Sequence, residues 1–88
     1  MRRAPSDVLQ TVGRRIAELR RDEGLTQEQF AALLEVSEQY LRRIELGSQN
    51  VTLKTLANVA NALDVDVAKL FEEPRPASRV VQMGRPRK

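Results

Sequence analysis

Six polar residues fall within eight positions of one stretch, VSEQYLRRIELG, residues 36–47: Glu38, Gln39, Tyr40, Arg42, Arg43 and Glu45. Only Leu41 and Ile44 separate them. A helix this polar buries little, so its outward side chains must serve another purpose. Gln39 can pair bidentately with adenine, Arg43 can pair with guanine O6 and N7, and Glu38 can accept from cytosine N4. A carboxylate repels phosphate, which favours a base edge over the backbone for Glu38. The competing reading is a solvated helix face on which arginines and glutamates pair at i,i+4 spacing.

Other chemistries have little to work with. The chain has no cysteine and no histidine. A disulfide framework is excluded, and the commonest metal ligands and the usual general base are missing. Its four glycines stand apart, with neither dinucleotide nor Walker spacing. No enzyme activity, metal or cofactor is expected. Eighty-eight residues correspond to one small domain with tails. That length leaves no room for a second, ligand-sensing domain, so no small-molecule effector is expected. There is no apolar run long enough to span a membrane and no leader pattern, so a cytoplasmic location is expected.

The net charge of +3 is unevenly spread. Residues 1–7 carry +1, residues 8–73 carry −3, and residues 74–88 carry +5 with no acid. A basic tail on a mildly acidic body points to a polyanionic partner. The boundaries expected are a flexible basic arm at 1–6, a folded domain at 7–73 and a flexible basic tail at 74–88.

The elements that must position the polar stretch are helices. Leu9, Val12, Ile16 and Leu19 make one apolar stripe, and Leu53, Leu56, Ala60 and Leu63 make another. Four start signals follow the first stripe: Leu25-Thr26, Val36-Ser37, Val51-Thr52 and Val65-Asp66. Each pairs a capping oxygen with a preceding apolar residue and another apolar residue four positions after the cap. Thr26 and Gln29 also read as a capping box. The chain is therefore all-α, with five helices expected near 7–22, 27–34, 38–46, 53–63 and 67–72. Only "EVS" joins the second and third, which forces a sharp helix-turn-helix angle. Ala31 lies inside that angle, and Leu41 and Ile44 point to the core.

These residues carry a resemblance. The segment from Leu25 to Phe71, LTQEQFAALLEVSEQYLRRIELGSQNVTLKTLANVANALDVDVAKLF, resembles the Cro/repressor-type helix-turn-helix family, also called the XRE family, and the likeness covers roughly residues 8–72. It implies a compact five-helix, lambda-repressor-like domain that binds double-stranded DNA, usually as a dimer. Residues 37–46 would be the recognition helix in the major groove. Glu38, Gln39 and Arg43 match base-reading positions. Tyr40 and Arg42 are open between base and phosphate. Gln27, Ser37, Ser48, Gln49, Asn50 and Lys54 fall where backbone phosphates are held. Arg20 and Glu45 match a structural ion pair. Two features depart from the family pattern: Glu35 stands where the tight turn usually has glycine, and the loop after Gly47 lacks the common proline.

Val67, Leu70 and Phe71 offer more apolar surface than one short helix can bury, and form the expected dimer surface. Gly84-Arg85-Pro86-Arg87, followed by Lys88, resembles an AT-hook core. Arg85, Arg87 and Lys88 are read either as minor-groove residues or as an electrostatic aid to phosphate binding. The expected function is a sequence-specific transcriptional regulator acting as a homodimer on a palindromic operator. The roles open to it include phage repressor, restriction–modification controller and antitoxin. The alternative is an antitoxin-like module that silences a partner protein and binds DNA secondarily.

Overall fold

The computed structural model describes residues 3–75. Four α-helices follow one another: α1 Pro5–Asp22, α2 Gln27–Leu34, α3 Glu38–Leu46 and α4 Leu53–Leu63. A short 3₁₀ helix, Val67–Phe71, completes the order, and no strand occurs among the described residues.

The local reasons for these boundaries lie in the caps. Thr26 Oγ1 accepts from the Gln29 N–H at 3.0 Å, and Gln29 Oε1 accepts from the Thr26 N–H at 2.9 Å. This reciprocal box starts α2. Ser37 Oγ starts α3 by accepting from the Tyr40 N–H, and Thr52 Oγ1 starts α4 by accepting from the Thr55 N–H. Left-handed residues end the same three helices: Glu35 at φ 60°, Gly47 at φ 79° and Asp64 at φ 59°. Glycine adopts such a φ freely, whereas Glu35 and Asp64 do so at a cost of about 1–2 kcal/mol each.

The fifth α-helix expected at 67–72 is instead the 3₁₀ turn. Only five residues lie between Asp66 and Glu72, and the Asp66 side chain makes no capping bond. One turn cannot repay α-helix nucleation, so the segment tightens into i→i+3 bonds such as Lys69 N–H to Asp66 O.

Each of the five elements contributes one fully buried side chain to a single core: Ile16, Phe30, Leu41, Val59 and Leu70. Leu25, Val36, Val51 and Val65, the residues just before the caps, pack against this core partly buried. Ala31, inside the α2–α3 angle, is 3% exposed. Two members of the apolar stripes fall outside the core: Leu9 is only half-buried, and Leu53, in the first turn of α4, is 76% exposed.

α1 and α3 pack most intimately, because Gly13 lets their backbones meet. A Cβ on residue 13 would stand 2.4 Å from Ile44 O and 2.6 Å from Glu45 O. Gly13→Ala would ordinarily favour a helix by about 0.8–1 kcal/mol. Here the backbone carbonyls of α3 cannot yield, and the variant is expected to lose about 1–3 kcal/mol through overpacking. Urea unfolding checks this; a midpoint equal to or above that of the parent would mean that α1 and α3 do not approach this closely.

Candidate nucleic-acid interface

α3 divides cleanly. Leu41, Ile44 and Glu45 are buried, while Glu38, Gln39, Arg42 and Arg43 are exposed. Ile44 and Glu45 follow Leu41 by three and four positions, so the three share one helical face and turn the four polar side chains outward. Tyr40 is half-buried and packs against the core. The entry to α3 is the three-residue turn Glu35-Val36-Ser37, closed by the Glu35 N–H to Ala32 O and the Val36 N–H to Ala31 O. The left-handed residue of this turn is thus a glutamate, where the family pattern expects glycine.

Glu45 locks α3 to its neighbours. Its Oε2 accepts from Arg20 Nε at 2.7 Å, and its Oε1 accepts from Arg20 Nη2 at 3.0 Å. The pair is almost fully buried, with side chains 10% and 6% exposed. Arg20 Nη1 donates onward to Leu25 O at 2.8 Å, tying in the turn before α2. Gln27 Nε2 donates to the same Glu45 Oε1 at 3.0 Å. One carboxylate therefore joins α1, α2 and α3, and it holds the Gln27 amide beside α3. Among the described residues, that amide makes no second donor contact.

The outward residues have lighter partners. Glu38 Oε2 accepts from Arg42 Nη2 at 3.0 Å, an i,i+4 pair with both side chains nearly half exposed. Such exposed pairs contribute about 0–1 kcal/mol, so either partner can be released to a ligand at little cost. Arg43 Nε donates to Gln49 Oε1 at 3.2 Å. The loop after α3 continues this contact: the Ser48 N–H and Oγ both donate to Arg43 O, and Gln49 Nε2 donates to Asn50 O. Ser37, Asn50 and Lys54 are exposed. The geometry thus gathers Glu38, Gln39, Arg42 and Arg43 on one face, with Ser48, Gln49 and Asn50 joined to its C-terminal end.

Other expectations fall differently. Leu70, expected at a dimer surface, is fully buried in the core of this single chain and is not available to a partner. Val67 and Phe71 beside it are 41% and 49% exposed. Arg85, Arg87 and Lys88 lie outside the described residues.

Two structurally important residues escaped sequence reasoning. Gly13 had a signal, since a glycine between Val12 and Ile16 interrupts a buried stripe without ending the helix. Glu18 had almost none. It is buried at 6% exposure and accepts from Arg15 Nη1 at 2.7 Å, from the Arg75 N–H at 2.8 Å and from Arg75 Nε at 2.6 Å. Burial alone would push its carboxyl pKa up. The hydrogen bonds from Arg75 and Arg15 outweigh this and hold it below the usual glutamate value. Arg75 also grips both Asp22 oxygens, so Pro74 and Arg75, assigned from sequence to a flexible tail, lie against α1.

A family model described as helix-turn-helix matches residues 16–70. The chain is 44% identical over 64 residues to y4dJ, an uncharacterized HTH-type transcriptional regulator of Sinorhizobium fredii, across 73% of this chain and 83% of that protein. The restriction-modification controller protein C.AhdI from Aeromonas hydrophila is similar in structure, with a TM-score of 0.69 and 38% identity over 72% of this chain and 96% of that one. SinR, a master regulator for biofilm formation solved in complex with DNA, is similar at a TM-score of 0.65 and 32% identity, covering 69% and 98% of the two chains.

Removing Glu45 would leave the Arg20 guanidinium buried without its partner. Glu45→Ala is expected to cost about 3–5 kcal/mol of folding stability. Glu38→Ala, a surface change, should stay within about 0.5 kcal/mol. Urea unfolding of both variants compares them directly; equal losses would remove Glu45 from its structural role.

Proposed function

This chain belongs to the helix-turn-helix family, and we propose that it is a sequence-specific DNA-binding transcriptional regulator whose α3 enters the major groove. The observation that carries this reading is the outward face of α3. Glu38, Gln39 and Arg43 are exposed together on a helix whose orientation is fixed by a buried ion pair. Each is a residue type that matches a base-edge pattern. The DNA complex of the similar SinR supports the choice of ligand.

Gln39 reads adenine, Arg43 reads guanine and Glu38 reads cytosine in this proposal. Tyr40 and Arg42 sit at the margin of the contact. Gln27 reaches a phosphate through its spare N–H, at the N-terminus of α2 where unpaired backbone donors also face outward. Ser37, Ser48, Asn50 and Lys54 hold the backbone around the groove. These contacts set the register without reading sequence. Residues 74–88 bring five positive charges and no acid, which steepens the dependence of binding on salt.

The active form in this proposal is a homodimer on an inverted repeat, with half-sites about 34 Å apart along the duplex. The exposed Val67 and Phe71 supply its apolar surface. The competing reading, a module that silences a partner protein, draws on the net charge of −3 over residues 8–73.

Selection from random duplex DNA, followed by binding titrations on the enriched sequence at two salt concentrations, tests the proposal. An inverted repeat is expected. Arg43→Ala should cost about 1–3 kcal/mol and relax the preference at one base pair in each half-site. Lys54→Ala should weaken binding to all sequences alike and reduce the salt slope by about 1. An Arg43→Ala protein with full affinity and the same preferred sequence would refute the docking, and selection that enriches nothing would favour the partner-protein reading.

A further inference from the structure

Arg43 is tied at both ends to the loop that follows its helix. Its backbone carbonyl accepts from the Ser48 N–H at 3.0 Å and from Ser48 Oγ at 3.3 Å. Its side chain donates through Nε to Gln49 Oε1 at 3.2 Å. The adjacent Arg42 has no such link and pairs within the helix to Glu38.

The Gln49 amide is engaged at both ends. Its oxygen takes the arginine N–H, and its Nε2 donates to Asn50 O at 3.3 Å. The opposite amide orientation would set two donors against each other at the guanidinium and two acceptors against each other at the Asn50 carbonyl. Two hydrogen bonds therefore agree on one orientation. The bond consumes only the Nε–H of Arg43. The Nη1 and Nη2 groups, which carry the other four N–H donors, stay available for the paired acceptors of guanine.

We infer that Gln49 is a positioning residue for base readout: it holds the Arg43 guanidinium by Nε and presents the Nη edge to the base. This rests on the proposed docking of α3 in the major groove, and it replaces the expectation that Gln49 itself contacts phosphate. It also links two kinds of contact. Ser48 and Asn50, on either side of Gln49, meet the DNA backbone in the proposed complex. The loop that senses phosphate therefore also sets the aim of the arginine that senses sequence.

The test uses the full chain and two duplexes: the one enriched by selection, and the same duplex changed at the base pair where Arg43→Ala loses preference. Discrimination is the ratio of the two affinities. Arg43→Ala should lower it by about 5- to 150-fold, as expected for one bidentate base contact. Gln49→Ala should lower it by about 2- to 12-fold, as expected when one long side chain must be ordered on binding. Adding Gln49→Ala to Arg43→Ala should lower it no further. Gln49→Glu keeps an acceptor for Nε, so it should retain discrimination while its negative charge weakens binding to both duplexes. Equal weakening on both duplexes by Gln49→Ala, with a salt slope reduced by about 1, would overturn the inference in favour of a direct phosphate contact. Unchanged discrimination in Gln49→Ala beside a loss in Arg43→Ala would overturn it while leaving the docking of α3 intact. If no duplex is enriched, the docking itself fails and the inference fails with it.

Discussion

The Glu45 carboxylate is the junction on which the candidate interface depends. Three hydrogen bonds reach it from Arg20 and Gln27, and a fourth from the same guanidinium secures the turn before α2. Apolar packing alone would hold α3 against the core, but it is non-directional. A bidentate arginine–carboxylate pair has a narrow geometry, so it also restricts the rotation of α3 about its axis. Leu41, Ile44 and Glu45 face inward together, and the four polar residues have only the outward face left. The stability of a buried pair relative to an apolar substitute is often small. Its contribution here is orientation, the property that base readout requires.

Two further constraints make this junction attainable. Gly13 brings the α1 backbone close enough to α3 for Arg20, two turns further along, to reach Glu45 squarely. At the other end, the α2–α3 turn places Glu35 in a left-handed conformation, and Ser37 caps α3 immediately afterwards. The domain is small enough that one fully buried side chain per element marks its core. In such a domain the surface pairs that surround α1 also matter. Arg75 and Arg15 converge on the buried Glu18 and bring the start of the basic tail onto the same helix that carries Arg20.

Much of this was legible in the sequence because it is local. Capping side chains act within three residues, and the boundaries of α2, α3 and α4 follow from Thr26, Ser37 and Thr52. The three- and four-residue spacing of apolar residues identified α1 and α4, and the short "EVS" link identified the sharp turn. Features set by distant parts of the chain were harder to see. Leu53 continues a helical stripe but lies beyond the edge of the core. Leu70 looked surplus to a single chain because its burial depends on α1 and α4, which close over the 3₁₀ turn. Glu18 resembles any exposed helix glutamate until Arg75, more than fifty residues later, is placed beside it. Among the candidate site residues, the outward set on α3 followed from periodicity and from the family resemblance. The Arg43–Gln49 contact did not, because it depends on the path of a loop.

The most direct test is an amide chemical-shift titration of the isotopically labelled full chain with a duplex enriched from random sequence. Perturbations centred on residues 37–43, flanked by those at residues 27 and 48–54, are expected if α3 occupies the major groove. Perturbations centred on Val67–Phe71 or on the outer face of α1, with α3 unmoved, would contradict that placement.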